Sequence, residues 1–191
     1  MQMSSFFSAL ALGSAALLAA HPAVAQQKLV PAQSEVQFTA RQMGVPLEGH
    51  FKKFDAQVSF DPAKLATSKI VFTVDTGSAT MGSRETDAEL PKATWFNVPQ
   101  FPQATFESSA IRALGGGKFE VTGKLSIKGM ARDVVVPVTL VQNGATTLAT
   151  GALPLKRLAF KIGENEWADT SMVADDVQVK FKLALTGVGK L

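Results

Sequence analysis

The amino-acid sequence predicts an all-β protein, an antiparallel up-and-down barrel of about eight strands carrying a short helical lid, and three observations predict it. Apolar and polar residues alternate along most of the chain beyond Ser34, the period of a strand with one buried face. Turn-forming residues punctuate the alternating runs, as at Gly115-Gly116-Gly117 and Asn143-Gly144. One segment, Thr73 to Ser108, interrupts the alternation with a helical pattern.

Taken in order, Val36, Phe38 and Ala40 share one face of a first strand, and Val45, Leu47, Gly49 and Phe51 share a face of the next. After a break at Lys52-Lys53 the pattern resumes with Ala56, Val58 and Phe60, and Asp61-Pro62-Ala63-Lys64-Leu65 reads as a turn. Ile70, Phe72 and Val74 alternate before the interruption, and Ala104 and Phe106 after it. Within it, Ser83 caps a helix predicted over Arg84 to Leu90, with Glu85 and Asp87 near its positive end and Pro91 stopping it. Trp95 and Phe96 follow, so the segment reads as a lid on a barrel. Phe119, Val121, Gly123, Leu125 and Ile127 form one further run and Val134, Val136, Val138 and Leu140 another. A less regular run from Thr147 to Leu155, another around Arg157 to Ile162, and the clean alternation Val177, Val179, Phe181, Leu183, Leu185 complete the wall. Runs of eight to eleven residues rise roughly 25 to 35 Å, which favours a barrel over a sandwich.

Residues 1–25 stand apart. The apolar run from Phe6 to Ala20 has the length of a signal-peptide core, and Ala23-Val24-Ala25 offers a cleavage site before Gln26. No Lys or Arg precedes that run, so an uncleaved anchor is the alternative. A cleaved signal implies a periplasmic or secreted protein, and residues 26–191 suffice for one domain. Cysteine is absent, which removes both disulfides and thiol chemistry.

Several function classes lose their chemistry here. A net charge of +3, with Lys118, Lys124, Lys128, Lys180 and Lys182 spaced along strands, gives no clustered basic face for nucleic acid. Beyond the leader His50 is the one histidine, so a zinc site would need mostly carboxylates, and a Ser-His-Asp triad would need His50 itself, which no G-x-S-x-G elbow accompanies. The glycine run before Lys118 lacks P-loop spacing and reads as a hairpin turn. Asp175-Asp176 precedes a strand and reads as loop rather than calcium site. No catalytic residue, metal site or resident cofactor is expected.

An apolar interior remains. The chain has thirteen phenylalanines and no tyrosine, and a ring without a hydroxyl needs no hydrogen-bond partner when buried. Phe38, Phe51, Phe60, Phe72, Phe106, Phe119 and Phe181, with Val121 and Leu125, suit a dry cavity and equally suit a packed core.

Four blocks of residues resemble one family. Gly49-His50-Phe51 with Phe54 and Phe60-Asp61-Pro62 form the first, and Asp75-Thr76-Gly77, Leu90, Trp95-Phe96-Asn97, Pro102, Phe106 and Ser108 the second. Gly123 to Arg132 is the third, and Arg157, Phe160, Ile162-Gly163, Trp167, Asp175 and Val177 the fourth. In this order they resemble the YceI-like, polyisoprenoid-binding proteins over about Ser34 to Leu185. Arg84-Glu85-Thr86-Asp87, Trp95 and Asn97 depart from the family pattern, all in the lid. The resemblance implies an extended lipocalin-like barrel that is not an enzyme and that holds an isoprenoid lipid or isoprenoid quinone. The chain of the ligand would lie among the interior residues named above, and its head group near Arg84, Asp87, Lys92, Trp95, Phe96 and Arg157. Small wall residues such as Gly49, Ala56, Gly123 and Gly151 would leave room along the axis. Transient contact with a membrane or a membrane redox protein follows from such a cargo. A stress-response or structural barrel with a filled core is the alternative, and oligomeric state is open.

Overall fold

The computed structural model describes residues 27–191, so the expected leader and its cleavage point lie outside the described residues. Eleven strands form one antiparallel sheet: β1 (Lys28–Leu29), β2 (Glu35–Gln42), β3 (Val45–Phe51), β4 (Phe54–Ser59), β5 (Lys69–Asp75), β6 (Ala79–Thr80), β7 (Gln103–Gly115), β8 (Lys118–Ile127), β9 (Met130–Asn143), β10 (Thr146–Lys156) and β11 (Asp176–Thr186). A single α-helix among the described residues, α1 (Arg84–Glu89), lies between β6 and β7.

The sheet curls back on itself. From β5 the ladder passes through β7, β8, β9, β10, β11, β2 and β3 to β6, which continues the same chain run as β5 across the 3-10 turn Thr76–Ser78. Three runs are bent: β1–β2, β3–β4 and β5–β6. Counted as single staves with the five unbent strands, they give the eight that the alternation predicts. The bend at Pro31–Gln33 and the break at Lys52-Lys53 face a common groove where no ladder forms. Hydrogen bonds outside the ladder tie the neighbouring runs together. The Gln27 amide donates from Nε2 to the Phe60 carbonyl at 2.6 Å and accepts from the Phe60 N–H at 2.8 Å, reproducing a ladder pair with one side chain. Lys53 N donates to Ser78 Oγ at 3.0 Å, and Lys52 N to the Ser78 carbonyl at 3.1 Å.

Local sequence accounts for the turns. Three two-residue hairpin connections, Met43-Gly44, Gly116-Gly117 and Lys128-Gly129, have positive φ at both positions, the geometry whose twist matches that of the strands. Ser83 caps α1, accepting from Thr86 N at 3.5 Å, with Glu85 and Asp87 in the first turn. Residues 157–162, expected as an irregular strand, instead form the 3-10 turn Arg157–Phe160, which Lys161 ends with φ +56°. Lys128 is likewise unlike the other strand lysines. Its place in a tight turn directs it inward, it is 6% exposed, and Nζ donates to the Lys161 carbonyl at 2.6 Å and to the Glu164 carboxylate at 2.9 Å.

The core is the inner face of the wall. Val36, Phe60, Phe119, Val121, Val136 and Ala149 are buried there, and Phe60 meets Phe119 edge to face at 5.3 Å.

Candidate functional site

The curled wall encloses a cavity of about 510 Å³, a volume within the range of small-molecule sites. All nine expected interior residues line it: Phe38, Phe51, Phe60, Phe72, Phe106, Phe119, Val121, Leu125 and Phe181. Alternation puts them there, since on each strand every second side chain points inward.

Glycines explain why so many rings leave a lumen. The sequence suggests that small residues clear the axis, but the space at Gly49, Gly123 and Gly151 is taken by neighbouring strands. A Cβ at Gly49 would stand 2.3 Å from Phe38 Cζ, one at Gly151 2.3 Å from Phe181 Cζ, and one at Gly123 2.6 Å from Phe106 Cζ. Gly49 is the cross-strand partner of Phe38 and Gly151 that of Phe181. The tip of each ring therefore fills the place that a side chain on the glycine would take.

One end of the cavity carries the lid. Met81, Glu85, Thr86, Glu89, Leu90, Trp95 and Phe96 line it from the lid segment, together with Arg41, Ile162, Trp167 and Val173 from the elements beside it. An aromatic chain fixes the lid to the wall: Phe96 meets Phe51 at 6.0 Å edge to face, and Phe51 meets Phe38 at 5.3 Å. Trp95 packs on Trp167 at 5.5 Å, and the N–H groups of Gly163 and Glu164 both donate to the Thr94 carbonyl, at 2.8 and 3.0 Å. The Trp95 indole N–H is buried and has no hydrogen-bond partner.

The charged residues expected at the mouth separate into different roles. Arg84 is exposed and does not line the cavity. Asp87 does not line it either, because its carboxylate accepts from Thr80 Oγ1 and from Met81 N at 2.7 Å, pinning α1 to β6. These two hydrogen bonds, Thr80 first, hold the Asp87 pKa below its ordinary value. Lys92 is exposed and paired with Glu89.

Arg157 is the clearest correction. Expected at the mouth, it is 3% exposed, and its guanidinium donates to five backbone carbonyls: Ala174 at 3.0 Å, Ile162 at 2.9 Å, Gly163 at 2.8 Å, Trp167 at 2.6 Å and Val173 at 2.7 Å. It borders the cavity with no donor direction left for a ligand. Burial pulls its pKa down, and nearby Asp175 opposes that. The reason for the burial is local: the loops around residues 162–174 leave carbonyls outside any ladder, and a planar five-donor group satisfies them together.

Sequence reasoning also missed cavity residues. Trp167 and Thr147 line it, and Thr147 shares the inward period-two face of β10 with Ala149, Leu153 and Leu155, a signal present in the alternation. His50 is exposed on β3. Among the described residues no group of three or more His, Asp or Glu side chains is placed to hold a metal ion.

The YceI-like domain family profile matches residues 27–185. The crystal structure of Burkholderia cenocepacia BcnA is 51% identical with a TM-score of 0.79, covering 82% of this chain and 98% of that one. A UPF0312 protein of Azotobacter vinelandii is 36% identical over 140 residues, 71% of this chain and 72% of its own length. A polyisoprenoid binding domain from Saccharophagus degradans, implicated in plant cell wall breakdown, is 14% identical with a TM-score of 0.68, covering 84% of this chain and 98% of that domain, and shares the fold.

Proposed function

The chain belongs to the YceI-like family, and we propose that it is a non-enzymatic carrier that holds a long isoprenoid lipid with its chain in the cavity and its head group under the lid. The observation that carries this reading is the cavity itself, about 510 Å³ and walled by aromatic and aliphatic side chains from every long strand. A filled-core barrel would not leave that space. The fold shared with a polyisoprenoid binding domain supports the same ligand class. Burial is worth roughly 0.8 kcal/mol per CH₂, so about sixteen buried carbons supply a gross ~13 kcal/mol before the cost of ordering the chain.

The lid argues for a neutral head. An indole N–H donates only, so the unpartnered Trp95 Nε1 calls for an acceptor oxygen such as a quinone carbonyl or an alcohol. A phosphate drawn under the lid would need a buried cation: Arg157 and Lys128 are committed to carbonyls and Glu164, Arg41 borders the cavity only from its exposed side, and the carboxylates of Glu85 and Glu89 border it too. Exchange of such a cargo requires a membrane. The exposed Met43, Val45 and Met172, two of them joined by a hydrogen bond from Met43 N to the Met172 carbonyl, form an apolar tip at the lid end that supports a transient contact there. An exported protein, cleaved before Gln26, fits this role.

The test is native mass spectrometry of protein from its own host and from a heterologous one, followed by solvent extraction. A bound isoprenoid-chain lipid is the expected result, on a chain whose intact mass begins at Gln26. Lipid-free protein from both sources, with no uptake of added isoprenoid, would refute the carrier.

A further inference from the structure

One junction of the wall is a ladder for only part of its length. β2 pairs with β3 from Gln42–Val45 to Gln37–His50, and there the two runs part: β4 pairs with β5 alone, and no ladder joins it to β1 or β2. Asp75 N donates to the Lys53 carbonyl, which fixes the alternation of the antiparallel pair. The backbone groups of Phe54, Ala56, Val58 and Phe60 therefore point away from β5, toward the seam. At Phe60 they meet the amide of Gln27, and at Phe54, Ala56 and Val58 no strand is paired with them. β4 alone, from Phe54 to Ser59, gives the seam a length of about 20 Å.

The seam is thin and lightly held. Val36 and Phe51 line both the cavity and the groove along the seam, so one layer of side chains separates the two. Gln27 directly precedes β1, whose own ladder to β11 consists of Lys28–Thr186 and Leu29–Leu185. The lid is tied more firmly, through the Thr94 carbonyl to the N–H groups of Gly163 and Glu164 and through the Asp87 carboxylate to Thr80 and Met81. Even the short ladder between β11 and β2 runs from Gln178–Thr39 to Lys182–Glu35, and parting the wall there would break all of its backbone bonds. Parting it between β1 and β4 breaks the two hydrogen bonds of one side-chain amide.

We propose that the seam between β4 and the β1–β2 run is the line along which the barrel opens to take up and release its lipid, with the Gln27 amide as its latch. This rests on reading the cavity as a lipid site. The latch bonds to backbone of the wall and not to the ligand, so the closed wall holds the same latch before and after uptake. Loosening it raises the open population of the free and the loaded protein alike, which speeds entry and exit by one factor and leaves the dissociation constant as it was. Two hydrogen bonds of ordinary net strength set that factor at roughly 5- to 150-fold.

The experiment follows association and dissociation of geranylgeraniol by stopped-flow fluorescence of Trp95 and Trp167 in wild type, in Gln27→Leu and in the double variant Glu35→Cys, Lys53→Cys. Glu35 and Lys53 are exposed and line the groove from its two sides, and the chain has no cysteine of its own, so a short bismaleimide joins these two positions alone. Gln27→Leu is expected to raise both rate constants by about 5- to 150-fold at an unchanged dissociation constant. The cross-link is expected to slow both, relative to the same variant capped with a monofunctional maleimide. The proposal is overturned if Gln27→Leu exchanges its ligand at the wild-type rates, if it changes the dissociation constant in place of the rates, or if the cross-linked protein exchanges as fast as the capped one. Should Gln27→Leu not fold, the cross-link comparison decides by itself. An isoprenoid extracted from the protein replaces geranylgeraniol if wild type does not bind that alcohol. If none binds and none is extracted, the carrier reading fails and the seam fails with it, whereas binding whose rates neither change affects removes the seam alone.

Discussion

Replacing Arg157 by Met separates a scaffold role from a ligand-binding one. The substitution keeps a long apolar stem and removes the guanidinium, so the carbonyls of Ile162, Gly163, Trp167, Val173 and Ala174 lose their shared donor. Each buried acceptor left unpaired costs about 1–3 kcal/mol. Water entering from the loop side will recover part of that, since three of the five bonds are only part-buried and two are fully buried. A net loss of about 3–5 kcal/mol is therefore expected, in the range measured for breaking a buried charged contact and a large share of the 5–15 kcal/mol that holds a typical domain folded. Urea denaturation of the mature chain, followed by far-UV circular dichroism, measures it. With a slope of about 2 kcal/mol per molar, the midpoint should fall by roughly 1.5–2.5 M. Arg84→Met, on the exposed face of α1, serves as the control and should stay within about 0.5 kcal/mol. An Arg157→Met protein as stable as wild type but weakened in lipid binding would refute this assignment and return Arg157 to the mouth.

Two further outcomes follow from the same geometry. Gly151→Ala would place Cβ 2.3 Å from Phe181 Cζ and 2.5 Å from the Pro137 carbonyl oxygen, so it should lower stability by about 1–3 kcal/mol by calorimetry. Placing it in a Phe181→Leu background should recover part of the loss, and strict additivity of the two changes would show that the ring over the glycine is not the cause. Asp87 gives a pH dependence with a definite sign. Its pKa is depressed in the folded protein by Thr80 and Met81, so the anchoring of α1 is fully present above the ordinary carboxylate pKa and is lost as pH falls through the lowered one. Wild type should therefore exceed Asp87→Asn in denaturation midpoint near neutrality, and the difference should shrink in acid below the usual Asp range. A difference that stays constant well below that range, through full protonation of the carboxylate, would contradict the anchoring role.

What the sequence conveys and what it conceals divide along the ladder. Strands such as β8 and β11 are legible because each inward residue repeats with period two and each backbone group is satisfied by a neighbouring strand. The lid helix is legible because Ser83, the acidic first turn and Pro91 are local signals. Arg157 and Lys128 were misplaced for the opposite reason: their partners are loop carbonyls near residues 161–174, and nothing in the spacing of residues announces which loop carbonyls will be left without a ladder. Gly49 and Gly151 show the intermediate case, since their cross-strand register with Phe38 and Phe181 exists only once the strands are paired. A consequence for binding follows. In a curled sheet the wall satisfies its own backbone, so unpaired carbonyls accumulate at the ends, and buried cations are drawn there to meet them. The buried positive charge at the lid end of this cavity, that of Arg157, is thus spent before a ligand arrives, which leaves the exposed Arg41 at the rim and an uncharged indole N–H as the buried donor without a partner there.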